Sequence, residues 1–173
     1  MIETDRLFIT LISGDDAEDA RKLHNEPDTL KWLSDTHVVS PEEQTSWLAG
    51  LQISKTSRRY VAREKSINEL VGVFRFDRLD SQNLSAEVGL DVASRFRKMG
   101  YAKEIYHAML PYLFSEFSLN RLSLLTLVTN TPAINLYESL GFKKEGILRQ
   151  AIRRDDDFLD AIQYSLLATE TGE

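Results

Sequence analysis

Residues 86–128 constrain the fold most: a strand, a basic turn, a helix and a second strand follow one another without interruption. Ala86, Val88, Leu90 and Val92 alternate with Glu87, Gly89 and Asp91, the two-residue period of a strand. Past the turn, Ala102, Ile105, Tyr106, Met109, Leu110, Leu113 and Phe117 recur at helical spacing. Leu122 to Val128 then reads as a strand apolar on both sides, as a fully buried strand would be. Two strands joined through a helix form a crossover and run parallel, because the helix returns the chain to the same end of the sheet.

The turn itself, Ala93 to Lys103, carries Arg95, Arg97, Lys98 and Lys103. It ends where a helix begins, so unpaired backbone amides and the positive end of the helix dipole lie beside the cations. Such a place suits an anion, and Gly100 would let a ligand approach the backbone where a Cβ would obstruct it. The same residues also suit a solvated basic loop. No Gly-Lys-Ser/Thr follows, and there is no Gly-x-Gly-x-x-Gly, so neither familiar nucleotide loop is present.

The 173 residues suit one domain, residues 1–173, with no repeat, low-complexity stretch or linker. The net charge of −6 argues against nucleic acid as a partner and makes one local basic turn conspicuous. The chain has no cysteine, which removes disulfides, thiolate metal sites and a cysteine nucleophile and fits a reducing compartment. Met1 to Asp5 has no basic or apolar leader character, and no apolar run reaches membrane-spanning length, so a cytoplasmic location without membrane attachment is expected. His24, His37 and His107 share no ligand spacing, and no metal is expected.

Arg6 to Leu11 reads as a first strand, followed by a helix from Ala17 to His24 that ends near Pro27. Leu30, Trp32 and Leu33 form a short helical cluster. Ser40-Pro41-Glu42-Glu43 is a capping box opening a helix whose inner face carries Trp47, Leu48 and Leu51. Arg59–Arg63 and Leu70–Phe76 read as a hairpin. After the crossover, Thr131 as N-cap and Pro132 at the first position start a helix that stops at Gly141. Phe142–Leu148 and Phe158–Leu167 read as strands flanking the charged turn Arg153–Asp157, and Thr169–Glu173 as a tail. Edge strands near the C-terminus leave a homodimer open.

Two segments now belong together. Arg97-x-x-Gly100-x-Ala102 resembles the Gln/Arg-x-x-Gly-x-Gly/Ala loop of the GNAT acetyltransferases. Asn130-x-x-Ala133-x-x-Leu136-Tyr137-Glu138-x-x-Gly141-Phe142 resembles their second acetyl-CoA segment. The opening Glu3-Thr4-Asp5-Arg6-Leu7 and the element order are similar to the branch holding ribosomal-protein-alanine, spermidine and amino-sugar acetyltransferases. Many members carry a second glycine in the loop where this chain has Lys98-Met99. The resemblance implies an α/β (α+β) GNAT fold: a central, mixed, mostly antiparallel sheet of about seven strands with helices on both faces.

It further implies acetyl-CoA as co-substrate and transfer of its acetyl group to a primary amine by direct attack in a ternary complex. The amine is a small molecule or peptide: a protein N-terminus, a polyamine or an amino sugar. Backbone amides of Arg97, Lys98, Met99, Gly100, Tyr101, Ala102 and Lys103 would hold the pyrophosphate. Leu90, Asp91 and Val92 would pair with the pantetheine arm and offer an N–H to the acetyl carbonyl as it gains charge. Asn130 and Ala133 belong to the cofactor segment. Tyr137 is the expected proton donor to the leaving thiolate, since a phenol with a pKa of about 10 stays protonated at neutral pH. Glu87, on the strand before the loop, is the expected base, acting through water. A catalytically silent acyl-CoA-binding module is the alternative.

Overall fold

The computed structural model describes residues 1–171. Its strands form one sheet of eight, in the order β1-β2-β3-β4-β5-β6-β8-β7. These are β1 (Ile2–Glu3), β2 (Leu7–Leu11), β3 (Arg58–Glu64), β4 (Leu70–Asp80), β5 (Ser85–Val92), β6 (Arg121–Leu127), β7 (Lys143–Arg154) and β8 (Asp157–Leu167). The helices are α1 (Ala17–His24), α2 (Pro27–Leu30), α3 (Pro41–Ile53), α4 (Tyr101–Glu116) and α5 (Thr131–Ser139). The eighth strand is β1, which pairs antiparallel with β2 through Ile2↔Ile9 and Glu3↔Phe8. Two residues carry no alternation to read, so the expected count of seven falls one short.

Every neighbouring pair is antiparallel except β5 with β6, the crossover pair. Val73 and Arg75 of β4 face α1, sharing a cavity with Ala20 and Leu23. Phe74 between them faces α4, where its ring meets Tyr106 edge-on at 5.3 Å. Successive strand residues point to opposite faces, so α1 and α4 cover opposite sides of the sheet. The α4 side holds the densest core: Tyr106, Ile105, Met109, Leu113, Phe74 and Phe76 are all fully buried.

Several local expectations change. The N-cap of α5 is Asn130, not Thr131: its side chain accepts from Ala133 N at 3.3 Å. β6 is not buried on both faces, because Leu125 is 42% exposed on the side away from α4. β7 runs six residues past Leu148, to Arg154, with register shifts at Lys144/Gly146 and Leu148/Ile152. Those bulges break the alternation that would have announced its length. Ala168–Glu170 forms a 3-10 turn, leaving Gly172 and Glu173 of the expected tail outside the described residues. The Ser40 capping box is present, with Glu43 N donating to Ser40 Oγ and Ser40 N to Glu43 Oε2. No helix among the described residues is long and apolar enough to cross a membrane.

Candidate active site

β5 and β6 touch over only three residues, Ser85↔Arg121, Ala86↔Leu122 and Glu87↔Ser123. Beyond Glu87 they part, although both strands continue. The hydrogen-bond phase of β5 then decides what faces the gap. Ala93 N donates to Val71 O at 2.9 Å, so in an antiparallel ladder Asp91, Gly89 and Glu87 also spend their peptide groups on β4. The peptide groups of Leu90 and Val92 point the other way, into the gap. In agreement, the Val92 carbonyl is reached from that side by Arg97 Nε at 2.9 Å.

The turn after β5 is held from outside. Arg97 spans it, donating also to Asp28 O at 3.1 Å and Thr29 Oγ1 at 2.7 Å, so its guanidinium ties the turn to α2. Phe96 is buried and packs edge-on against Tyr101 at 5.5 Å. Arg6 donates to Met99 O at 3.0 Å and lies 3.9 Å over the Tyr101 ring. Lys98 and Gly100 both take the left-handed conformation, with φ of 62° and 83°. Gly100 is the N-cap of α4, and no side chain caps that end. The Glu104 amide is used by Gly100 O at 3.1 Å, which leaves the amides of Tyr101, Ala102 and Lys103 without intrahelical partners. Lys98 and Lys103 are exposed beside them. Free amides, a helix dipole and two cations therefore converge where the sequence expects an anion.

Across the gap, Asn130 caps α5, and its bond to Ala133 N takes up that amide. Tyr137 is buried among aromatic rings: Tyr106 at 5.9 Å, Phe142 at 5.9 Å and Tyr164 at 6.1 Å. Burial raises the Tyr137 pKa above its usual 10.0, opposed by the Tyr106 hydroxyl and the Arg75 charge, while Asp91 adds to the rise. Tyr106 is pushed up further, by burial first and the Tyr137 hydroxyl next. Its hydroxyl is buried and makes no hydrogen bond of normal geometry.

On the other side of β5, a cavity of about 350 Å³ opens between α1, the segment after α2, α3 and the sheet. Leu33, Ser34, Asp35, His37 and Val39 form one wall, Trp47 another, and Arg75 and Asp91 the floor. Glu87 is not among the lining residues; Arg78 Nη1 donates to its Oε1 at 2.7 Å. The carboxylate that lines the cavity nearest the gap is Asp91, expected from sequence only for its backbone. Arg75 was not expected at all. Part of its signal was there, one charge inside the apolar run Leu70–Phe76; that it lies opposite Gly89 comes from the register of the sheet. Among the described residues no three His, Cys, Asp or Glu side chains gather as a metal site.

Comparison with known proteins agrees with this layout. A family model for the acetyltransferase (GNAT) domain matches residues 6–143. An uncharacterized N-acetyltransferase, p20, of Bacillus licheniformis is 28% identical over 170 residues, 96% of either chain. A spermidine N(1)-acetyltransferase of Vibrio cholerae is 31% identical over 91 residues, 53% of this chain and 52% of the relative. A crystal structure of spermidine N-acetyltransferase from Vibrio cholerae, in complex with CoA and spermine, superposes with a TM-score of 0.91 at 20% identity, covering 98% of this chain and 100% of that one. With the loop, the gap and the matched residues 6–143 together, the chain belongs to the GNAT acetyltransferases, whose acyl donor is acetyl-CoA.

Proposed function

We propose that this enzyme moves the acetyl group of acetyl-CoA to a small primary amine by direct attack while both are bound. The observation that carries the reading is the parting of β5 and β6 after Glu87, with uncapped amides at one end of the gap and Tyr137 across it. The amides of Tyr101, Ala102 and Lys103, with those of the turn from Arg97, would hold the pyrophosphate. Because the Arg97 side chain is spent on α2 and β5, its contribution there is through the backbone. The Leu90 and Val92 peptide groups would pair with the pantetheine arm and donate to the acetyl oxygen as it gains charge. Asn130 and Ala133 would border the same arm.

In the transfer, an N–C bond forms and the C–S bond breaks. One proton leaves the amine and one reaches the thiolate sulfur. Tyr137 would supply the second: its raised pKa keeps it protonated throughout the neutral range. For the first, Glu87 is available through water, and Asp91 lines the cavity itself. Holding the two reactants in register supplies a large part of the acceleration whichever carboxylate acts. The named relatives that act on spermidine support a small amine as acceptor.

The test is CoA release from acetyl-CoA with pooled amines, in the wild type and in Tyr137→Phe. Release should fall about 100-fold in the variant, the range for loss of a general acid. The wild-type kcat should hold through the neutral range, and any alkaline decline should set in later than for an ordinary phenol, since burial raises the Tyr137 pKa. Saturable acetyl-CoA binding without release from any pool would favour the silent acyl-CoA-binding module. Absence of acetyl-CoA binding would overturn the reading.

A further inference from the structure

Arg75 and Asp91 form the floor of the cavity, and neither side chain has a hydrogen-bond partner among the described residues. Arg75 makes no hydrogen bond to any described residue, and its Nε is buried without a partner. Its nearest acidic oxygen is Asp91 Oδ2 at 3.8 Å, an ion pair too long to be a hydrogen bond. Asp91 in turn accepts no side-chain hydrogen bond; its carboxylate is 16% exposed and the Arg75 side chain 40%, both toward the cavity. The guanidinium lies flat over Gly89, where an added Cβ would come within 2.6 Å of Arg75 Nη2. Glycine at 89 is what lets the fork lie against the sheet.

The other ionisable side chains around the cavity each have a hydrogen-bond partner. Arg59 Nη1 donates to Asp77 at 2.7 Å. Glu43 accepts from Ser40 N at 2.7 Å and meets His37 Nε2 at 2.9 Å. Asp35 accepts from His37 N at 2.9 Å. His24 Nε2 contacts His37 O at 3.2 Å. On the floor, among the described residues, one cation and one anion stay open side by side. A polyamine finds one carboxylate there, Asp91, beside a guanidinium that repels it. A zwitterion finds both partners, its ammonium on Asp91 and its carboxylate on the Arg75 fork, the geometry guanidinium matches best.

We propose that the acceptor is a primary amine bearing its own carboxylate, as a free amino acid does, with Arg75 as the carboxylate-recognising residue. This rests on the acetyltransfer reading above and narrows its substrate. A single guanidinium half-compensated by Asp91 suits a monoanion rather than a phosphate dianion. The amine is then brought to the edge of β5 where the Leu90 amide faces the gap. A buried donor left unpaired penalises any acceptor that lacks the matching group, so discrimination should be strong.

The experiment measures CoA release with matched sets: each of the twenty amino acids, its carboxamide, and the corresponding decarboxylated amine, beside spermidine, phosphoethanolamine and glucosamine. The best amino acid should exceed its own carboxamide at least 30-fold in kcat/KM, chiefly through KM. In Arg75→Gln that ratio should fall below about threefold; in Arg75→Lys, which keeps the charge and loses the fork, it should be intermediate. Gly89→Ala, which displaces the guanidinium, should lower the ratio in the same direction. Spermidine, phosphoethanolamine or glucosamine turned over better than every amino acid would overturn the proposal, as would an undiminished ratio in Arg75→Gln. No release from any amino acid while acetyl-CoA still binds saturably also overturns it, and leaves the donor half of the site standing. Loss of acetyl-CoA binding in the wild type would instead strike the acetyltransfer reading.

Discussion

Glu104, in the first turn of α4, meets Arg6, just before β2, at 2.6 Å. Thr4 Oγ1 and Arg6 N donate to the same carboxylate at 2.5 and 3.1 Å. Burial acts to raise the Glu104 pKa, but Thr4 and Arg6 outweigh it and the net shift is downward. The contact ties the Thr4-Asp5-Arg6-Leu7 opening to this loop, so that the N-terminal segment fixes the end of the helix whose amides face the gap.

Glu104→Gln keeps the shape and removes the charge. Arg6 then has less reason to stay over Tyr101 and to hold Met99 O. Acetyl-CoA Kd should rise about fivefold, with kcat at saturation within twofold, and stability should drop by about 1 kcal/mol, the scale of a charged hydrogen bond at a partly exposed site. An unchanged Kd beside a lower Tm would mean that the loop holds its shape without this anchor.

Lys98 offers a second test of how the loop works. Its φ of 62° belongs to the left-handed region, which favours glycine. An L-residue there costs about 1–2 kcal/mol, while glycine loses about 0.5–1 kcal/mol more chain entropy on folding. Lys98→Gly should therefore leave stability unchanged or raise it by up to about 1.5 kcal/mol. Acetyl-CoA binding should weaken less than threefold if the backbone amides are the ligands. A tenfold loss would assign the anion contact to the Lys98 ammonium instead.

What the sequence made legible was what depends on local chemistry. Strand alternation from Ala86 to Val92, helical spacing from Ala102 to Phe117 and the capping box at Ser40 each announce themselves within a few residues. So does the crossover, and with it the parallel β5–β6 pair. What escaped depends on partners far along the chain. Nothing near Arg75 says that Gly89 makes room for it, and nothing near Asp91 says that its side chain meets a cavity walled by α1 and α3. Glu87 and Asp91 share one face of one strand, and only the packing of the helices separates their surroundings. The extent of β7 was hidden by bulges, and β1 by its length.

Those two carboxylates can be told apart by experiment. Asp91 lines the cavity with no hydrogen-bond donor on it, whereas Glu87 is paired with Arg78 outside the lining. If Asp91 receives the ammonium and its proton, Asp91→Asn should lower kcat/KM about 10- to 100-fold, at the low end of general-base effects. Glu87→Gln should then cost no more than about threefold. The reverse ranking would restore Glu87 as the base acting through water and leave Asp91 only the task of holding Arg75. Raising the pH should recover part of the lost rate in whichever variant lacks the base, because more of the amine is then already neutral.

The cavity wall has its own electrostatic fastening. Asp16, at the start of α1 and only 7% exposed, accepts from Arg63 of β3 at 2.8 and 3.1 Å and from Ser13 N and Oγ at 2.9 and 2.8 Å. Burial acts to raise its pKa, but the Ser13 amide, Arg63 and the Ser13 hydroxyl together bring it below the usual 3.8. A folded pKa below the unfolded one means that the unfolded chain binds the proton more readily. The stabilisation is therefore fully present well above the usual 3.8 and is lost as the pH falls through the folded value. Asp16→Asn should cost about 2 kcal/mol at pH 7, since Arg63 keeps Asp19 at 3.0 Å as a second partner. Urea melts from pH 7 to pH 2 should show the gap between wild type and variant closing below pH 4. A gap that stays constant over that range would mean that Asp16 acts through packing and neutral hydrogen bonds, and that α1 is fastened to β3 without help from its charge.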